Sequence, residues 1–207
     1  MRHKTEEIIT SLFNDYPQLG DIKEGIFDAC RVIVKCYKNS GKILVCGNGG
    51  SAADALHIVG ELMKGFILPR KLSSEEQIYS KYLNSGLQRA LPAISLVNEV
   101  SLMTAFSNDM GASLVFAQQV HGYGVEGDVL IAISTSGNSE NILYATEVAK
   151  AKKIKVISLT GNDGGKLKAL SDVAICAPET ETYKIQELYL PIYHTLCMAV
   201  ENEFFGE

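Results

Sequence analysis

Apolar positions along this chain follow two alternating rhythms. Over 4–15 and 22–38 they recur at helical spacing, as in Ile22, Ile26, Ala29, Cys30, Ile33 and Val34, the period of one buried helix face. Short apolar runs take over at "KILVCG" ending at Gly47, "PAISLV" (92–97), "DVLIAIS" (128–134), "IKVISLTG" (154–161) and "DVAICAP" (172–178). Helical patterns fill the gaps, from Ser51 to Lys64 and over 99–107, 112–122 and 139–152, and a long one closes the chain over 184–204. A run that is apolar throughout belongs to a strand covered on both faces. The pattern therefore predicts an α/β fold, a three-layer, doubly wound, five-stranded parallel sheet with N-terminal helices over 1–40. One stretch breaks the rhythm. "LPRKLSSEEQIYSKYLNSGLQRALP" (68–92) is polar, charged and much longer than an ordinary connection of ~2–6 residues, and reads as an insert that serves as a lid, an interface arm or a small helical excursion.

Composition narrows the function. The 207 residues suit one domain over 1–207. A net charge of -5 disfavours nucleic acid as the partner, since phosphate-backbone binding wants a basic face. The five cysteines have no CxxC spacing and mostly sit in apolar runs, as reduced, buried thiols do in a cytoplasmic protein. The N-terminus lacks the apolar core of a signal peptide, and no run reaches the ~18 apolar residues of a membrane span.

Two loops at strand ends carry chemistry. "CGNGGSAAD" (46–54) supplies glycines for a tight turn and Ser51 at a helix start, where free N–H groups bind anions. Gly47-x-Gly49-x-x-Ala52 also fits a dinucleotide fingerprint. The acidic residue wanted about 20 residues on is absent, however, with Glu99 the first candidate after the next strand, so no nucleotide is expected. "ISTSGNSEN" (133–141) brings Ser134, Thr135, Ser136 and Ser139 together ahead of another helix. Hydroxyls beside a helix N-terminus suit a phosphomonoester, and no Walker lysine follows the glycine. The expected ligand is a sugar phosphate. His57 and Glu61, four apart on the first of these helices, point to one side of it.

The segments "GNGGSAADALHIVGEL", "STSGNS", "LTGNDGG" and "QELYLPIYHTLC" together resemble the sugar-isomerase (SIS) domain, and within it the phosphoheptose isomerase family. The resemblance covers essentially all of the chain except 68–92. It implies an aldose–ketose isomerase of sedoheptulose 7-phosphate, assembled as a homotetramer with active sites between subunits, that feeds heptose into a lipopolysaccharide or capsule. Carried over by position, Ser51, Ser134, Thr135, Ser136 and Ser139 hold the phosphate, while Asn48, Gly49, Gly50, Asn108 and Asp109 contact the sugar. Glu61 is the implied base and His194 its acid–base partner, with Gln186 completing the site. Some members bind zinc through the equivalents of His57, Glu61, Gln186 and His194. Eight residues of helix separate Gln186 from His194, about 12 Å, and a bend at Pro191 is expected to bring them together. Tyr183 and Lys184 stand where the family usually has Asp and Arg, and Tyr189 replaces a frequent His. The rivals are an isomerase of another sugar phosphate, a sugar-phosphate-sensing regulator domain, and a non-catalytic SIS protein that binds a replication initiator. The last of these lacks the Glu and His that this chain keeps.

Overall fold

A computed structural model describes residues 1–206. Five strands form one parallel sheet: β1 (Ile43–Gly47), β2 (Ala93–Ser95), β3 (Val129–Ile133), β4 (Lys155–Thr160) and β5 (Val173–Cys176). They lie in the order β2-β1-β3-β4-β5, all pairs parallel. The expected fold class is the one observed.

The apolar runs work as the pattern requires. Successive strand residues alternate between two buried layers. Ile43 and Val45 of β1, with Val129, Ile131 and Ile133 of β3, face one core. Leu44, Cys46, Leu130 and Ala132 face the other. The first core is closed by α1 (His3–Asp15), α2 (Lys23–Lys38), α3 (Gly50–Met63) and α9 (Thr182–Phe205). The second is closed by α6 (Val115–Tyr123), α7 (Glu140–Ala151) and the short α8 (Gly165–Leu170). Because both faces are covered, neither can be polar, and the strands lose the alternation that a half-exposed sheet would show.

Helix α8 lies outside the expected elements; at six residues it is too short for a periodic signal. The 68–92 stretch holds a single turn over 74–76 and α4 (Lys81–Gly86), followed by β2 and then α5 (Val100–Asp109). Pro191 lies inside α9 without ending it. Among the described residues, no helix is long and apolar enough to cross a membrane.

The sheet order fixes the location of chemistry. From β1 the chain passes to β2 on one side, and β3 lies on the other. The loops after β1 and β3 therefore flank the point where winding reverses, the place where open α/β sheets bind ligands. Both chemically loaded loops sit there.

Candidate active site

The two loops enclose a cleft of about 290 Å³ lined by Asn48, Gly49, Gly50, Ser51, Ile133, Ser134, Thr135, Ser139, Thr182 and Gln186. Gly49 has φ +55° and is the residue before α3, a backbone state open at little cost only to glycine. Helices α3 and α7 both begin at this cleft. Their first turns offer N–H groups without intrahelical partners and the positive end of each helix dipole, which favours an anion. Ser134 Oγ and Ser139 Oγ are 3.0 Å apart, so two hydroxyls already converge.

The expected ligands are distributed unevenly. Ser51, Ser134, Thr135 and Ser139 line the cleft. Ser136 instead lines an adjoining hollow with Asn162, Asp163 and Glu179, and its Oγ accepts the Asn138 N–H. The Asn48 amide forms a reciprocal pair with Asn141, 2.9 Å in both directions, which ties the two loops together. Asn108 and Asp109 end α5, exposed, and bond to each other at 2.9 Å; within one subunit neither lines the cleft.

Helices α3 and α9 run side by side from this cleft. At its mouth, the Gln186 amide lies so close to Gly50 that a Cβ there would overlap it. Further along, His57 is the hub of a second cluster. Its Nε2 is 3.2 Å from Glu61 Oε1 and 3.3 Å from His194 Nε2. Its Nδ1 is 3.0 Å from the Tyr193 hydroxyl. The other Glu61 oxygen is 2.8 Å from Lys64 Nζ. Phe66 packs against the His194 ring with centroids 5.2 Å apart. Burial holds His194 below the usual imidazole value, and neighbouring His57 adds to this, while Glu61 opposes it.

So His57, Glu61 and His194 meet, while Gln186, two turns before His194 on α9, lines the phosphate end of the cleft. Among the described residues, no group of three or more His, Cys, Asp or Glu side chains forms a ready metal site. Sequence reasoning missed Asn141, Thr182, Lys64, Phe66 and Tyr193. Asn141 and Tyr193 lie inside or beside quoted motifs, yet residue type alone gave them no role.

The SIS domain model matches residues 19–161. A phosphoheptose isomerase of Helicobacter pylori is 43% identical over 186 residues, covering 90% of this chain and 88% of that protein. Phosphoheptose isomerase 2 of Campylobacter jejuni is 43% identical over 182 residues, covering 88% and 82%. Among solved structures, the phosphoheptose isomerase of Neisseria gonorrhoeae matches with TM-score 0.74 at 34% identity, covering 95% of this chain and 98% of that one. That of Francisella tularensis matches at 0.76 and 36%, covering 94% and 96%.

Proposed function

The chain belongs to the SIS-domain family, among the phosphoheptose isomerases, and from that membership we propose that it interconverts sedoheptulose 7-phosphate and D-glycero-manno-heptose 7-phosphate through an enediol. One observation supports this above the others. A hydroxyl-lined anion seat and a carboxylate–imidazole cluster lie on the same helix, with Gly50 and His57 about 10 Å apart along its axis. That is the reach of an extended seven-carbon chain held by its phosphate.

The reaction moves one proton between carbons and one between oxygens. With the phosphate seated between Ser51, Ser134, Thr135 and Ser139, the carbonyl end of the open chain lies beside Glu61. Glu61 removes a proton from C1 of the ketose and returns it to C2 of the enediol. His194 gives a proton to O2 and takes one from O1, starting uncharged near neutral pH because burial and His57 disfavour its cation. Gln186 at the cleft mouth and the Asn48–Asn141 pair hold the middle of the chain.

Zinc is part of the same proposal. Two imidazole nitrogens and a carboxylate fit its preferences, and His57 already touches both other donors. His57, Glu61 and His194 would hold it, with Gln186 as the fourth expected donor. Bound there, the ion would supply Lewis-acid polarisation of the carbonyl. A homotetramer in the cytoplasm completes the reading, supported by five unpaired cysteines and by exposed Ile78, Tyr82 and Val100, which subunit contacts would cover. Glu61 and His194, held in one cluster, speak against the non-catalytic rival.

The test is direct. Wild type, Glu61→Gln and His194→Gln are incubated with sedoheptulose 7-phosphate, with and without chelator, and aldoheptose phosphate is measured. Each substitution is expected to lower turnover by about 10²–10⁴. Variants that keep full conversion would remove the catalytic assignment; a wild type that converts nothing would remove the function.

A further inference from the structure

We propose that Asn141 is a positioning residue for the anion seat: acting through Asn48, its amide holds the glycine-rich loop after β1 in the shape that binds the sugar phosphate. The inference deepens the isomerase reading and rests on it. The loop needs an outside support. It runs Gly47-Asn48-Gly49-Gly50, so all but one of its residues lack a side chain and have the widest backbone freedom. Asn48 is its one handle. The first turn of α3 hangs from the same stretch. The Ser51 N–H donates to Asn48 O at 3.0 Å, and the Ala52 and Ala53 N–H groups donate to Gly49 O at 3.0 and 3.3 Å. A shift of Asn48 therefore displaces Ser51 and the helix N-terminus together.

Asn141 offers a fixed point. It lies in the first turn of α7, and the next residue, Ile142, is fully buried in the second core. The Ile142 and Leu143 N–H groups both donate to Ser139 O at 3.0 Å, so this turn is well formed. Asn48 lines the cleft and Asn141 does not, so Asn141 reaches the ligand only through its partner. The two amides exchange hydrogen bonds, Asn48 Nδ2 to Asn141 Oδ1 and Asn141 Nδ2 to Asn48 Oδ1, each at 2.9 Å. Such an exchange needs a donor and an acceptor on both side chains, which an amide supplies. Two bonds fix the plane of the Asn48 amide as well as its place, and each amide keeps one N–H and one lone pair for other partners. The pair bridges the ends of neighbouring strands, where Gly47 of β1 is in register with Ile133 of β3. It thereby sets the spacing between Ser51 on one side and Ser134, Thr135 and Ser139 on the other. A loop that must be ordered when the ligand arrives lowers affinity by the entropy of ordering, and a tethered one does not. Glu61 and His194 lie further along α3 and α9, so loss of the tether is expected in binding and not in turnover.

The full-length chain is compared with Asn141→Ala, Asn141→Leu, Asn48→Ala and the double variant Asn48→Ala/Asn141→Ala. Leucine keeps the shape of asparagine without its hydrogen bonds, so a folding defect in one Asn141 variant leaves the other informative. The readouts are affinity for inorganic phosphate by calorimetry, KM and kcat with sedoheptulose 7-phosphate, and melting temperature. Both Asn141 variants should bind phosphate about 10-fold more weakly and raise KM by a similar factor. Their kcat should stay within about twofold of wild type, with the melting temperature little changed. The double variant should be no weaker than Asn48→Ala alone, because Asn141 acts through that side chain. Losses that multiply in the double variant, unchanged phosphate affinity and KM, or a fall confined to kcat or to melting temperature would each overturn the proposal. If wild type converts no heptose phosphate but phosphate binding responds as expected, the positioning stands and the isomerase reading falls. A wild type that neither binds phosphate nor converts the ketose overturns both.

Discussion

At the scale of single residues, two glycines of the anion seat differ in what they tolerate. Gly137, between Ser136 and Asn138, has φ +62° and its missing Cβ would run into the Gly164 carbonyl. The "LTGNDGG" loop is therefore a buttress. The Leu167 N–H donates to Gly137 O at 2.9 Å, and the Lys166 N–H donates to Asn138 Oδ1 at 3.1 Å. Gly49 has φ +55° but open space where a Cβ would go. Gly49→Ala should cost only the backbone penalty of a φ/ψ region that side chains avoid, of order 1–3 kcal/mol. Gly137→Ala adds a backbone clash and should cost more, while also disordering the hydroxyl loop. Denaturant unfolding should rank the two in that order, and isothermal titration with inorganic phosphate should show the larger loss for Gly137→Ala. Equal costs would mean that the buttress is not rigid.

At the scale of elements, the segment after α3 is held by a contact that no local pattern announces. Glu201, buried on α9, accepts the N–H groups of Phe66, Ile67 and Leu68 at 2.8, 2.8 and 3.0 Å and pairs with Arg70 Nε at 2.7 Å. Arg70 is buried too and returns to the end of α3 through the carbonyls of Leu62 and Glu61. The clamp thus fixes the helix end that carries Glu61 and the loop that lays Phe66 on His194. Removing one partner strands the other's charge, so Arg70→Met should cost about 3–5 kcal/mol. Burial raises the Glu201 pKa, but the three N–H groups and Arg70 outweigh it and leave the carboxyl below its usual 4.5. A carboxyl lowered on folding contributes stability above its unfolded value and loses it as pH falls through the folded one. The wild-type melting temperature should therefore drop on acidification below about pH 4.5, and Glu201→Gln should show a lower melting temperature at neutral pH with a shallower acid limb. Parallel curves for the two proteins would show that the clamp contributes nothing to acid sensitivity.

At the scale of the whole molecule, what was legible in the sequence was what repeats locally. Apolar runs gave the strands, helical periods gave all but the shortest helices, and loops at strand ends marked the cleft because sheet order brings the ends of β1 and β3 together. Contacts between distant segments were not legible. Arg70 with Glu201, Asn48 with Asn141, and Tyr193 with His57 pair residues 93 to 136 positions apart, and no periodicity encodes them. The 68–92 insert is the clearest case of a feature seen but not understood from sequence, and the structure shows how it is attached. Lys71 and Gln88 form an antiparallel bridge, and the Arg89 N–H donates to Arg70 O at 2.7 Å. The excursion thus leaves and returns at one place. Between those ends, Ile78, Tyr79, Tyr82, Leu83 and Leu87 stay exposed, so the segment adds little to either core. A loop whose ends already meet can be shortened with a change in closure entropy of about 0.6 kcal/mol per halving. Replacing 73–86 with a short Gly-Ser turn should therefore leave the circular dichroism spectrum and the Glu201–Arg70 clamp intact and shift the melting temperature of the isolated subunit little. If the exposed apolar side chains meet a second copy, the same deletion should lower the mass measured by light scattering. A shortened chain that fails to fold would show instead that the excursion is part of the subunit's own core.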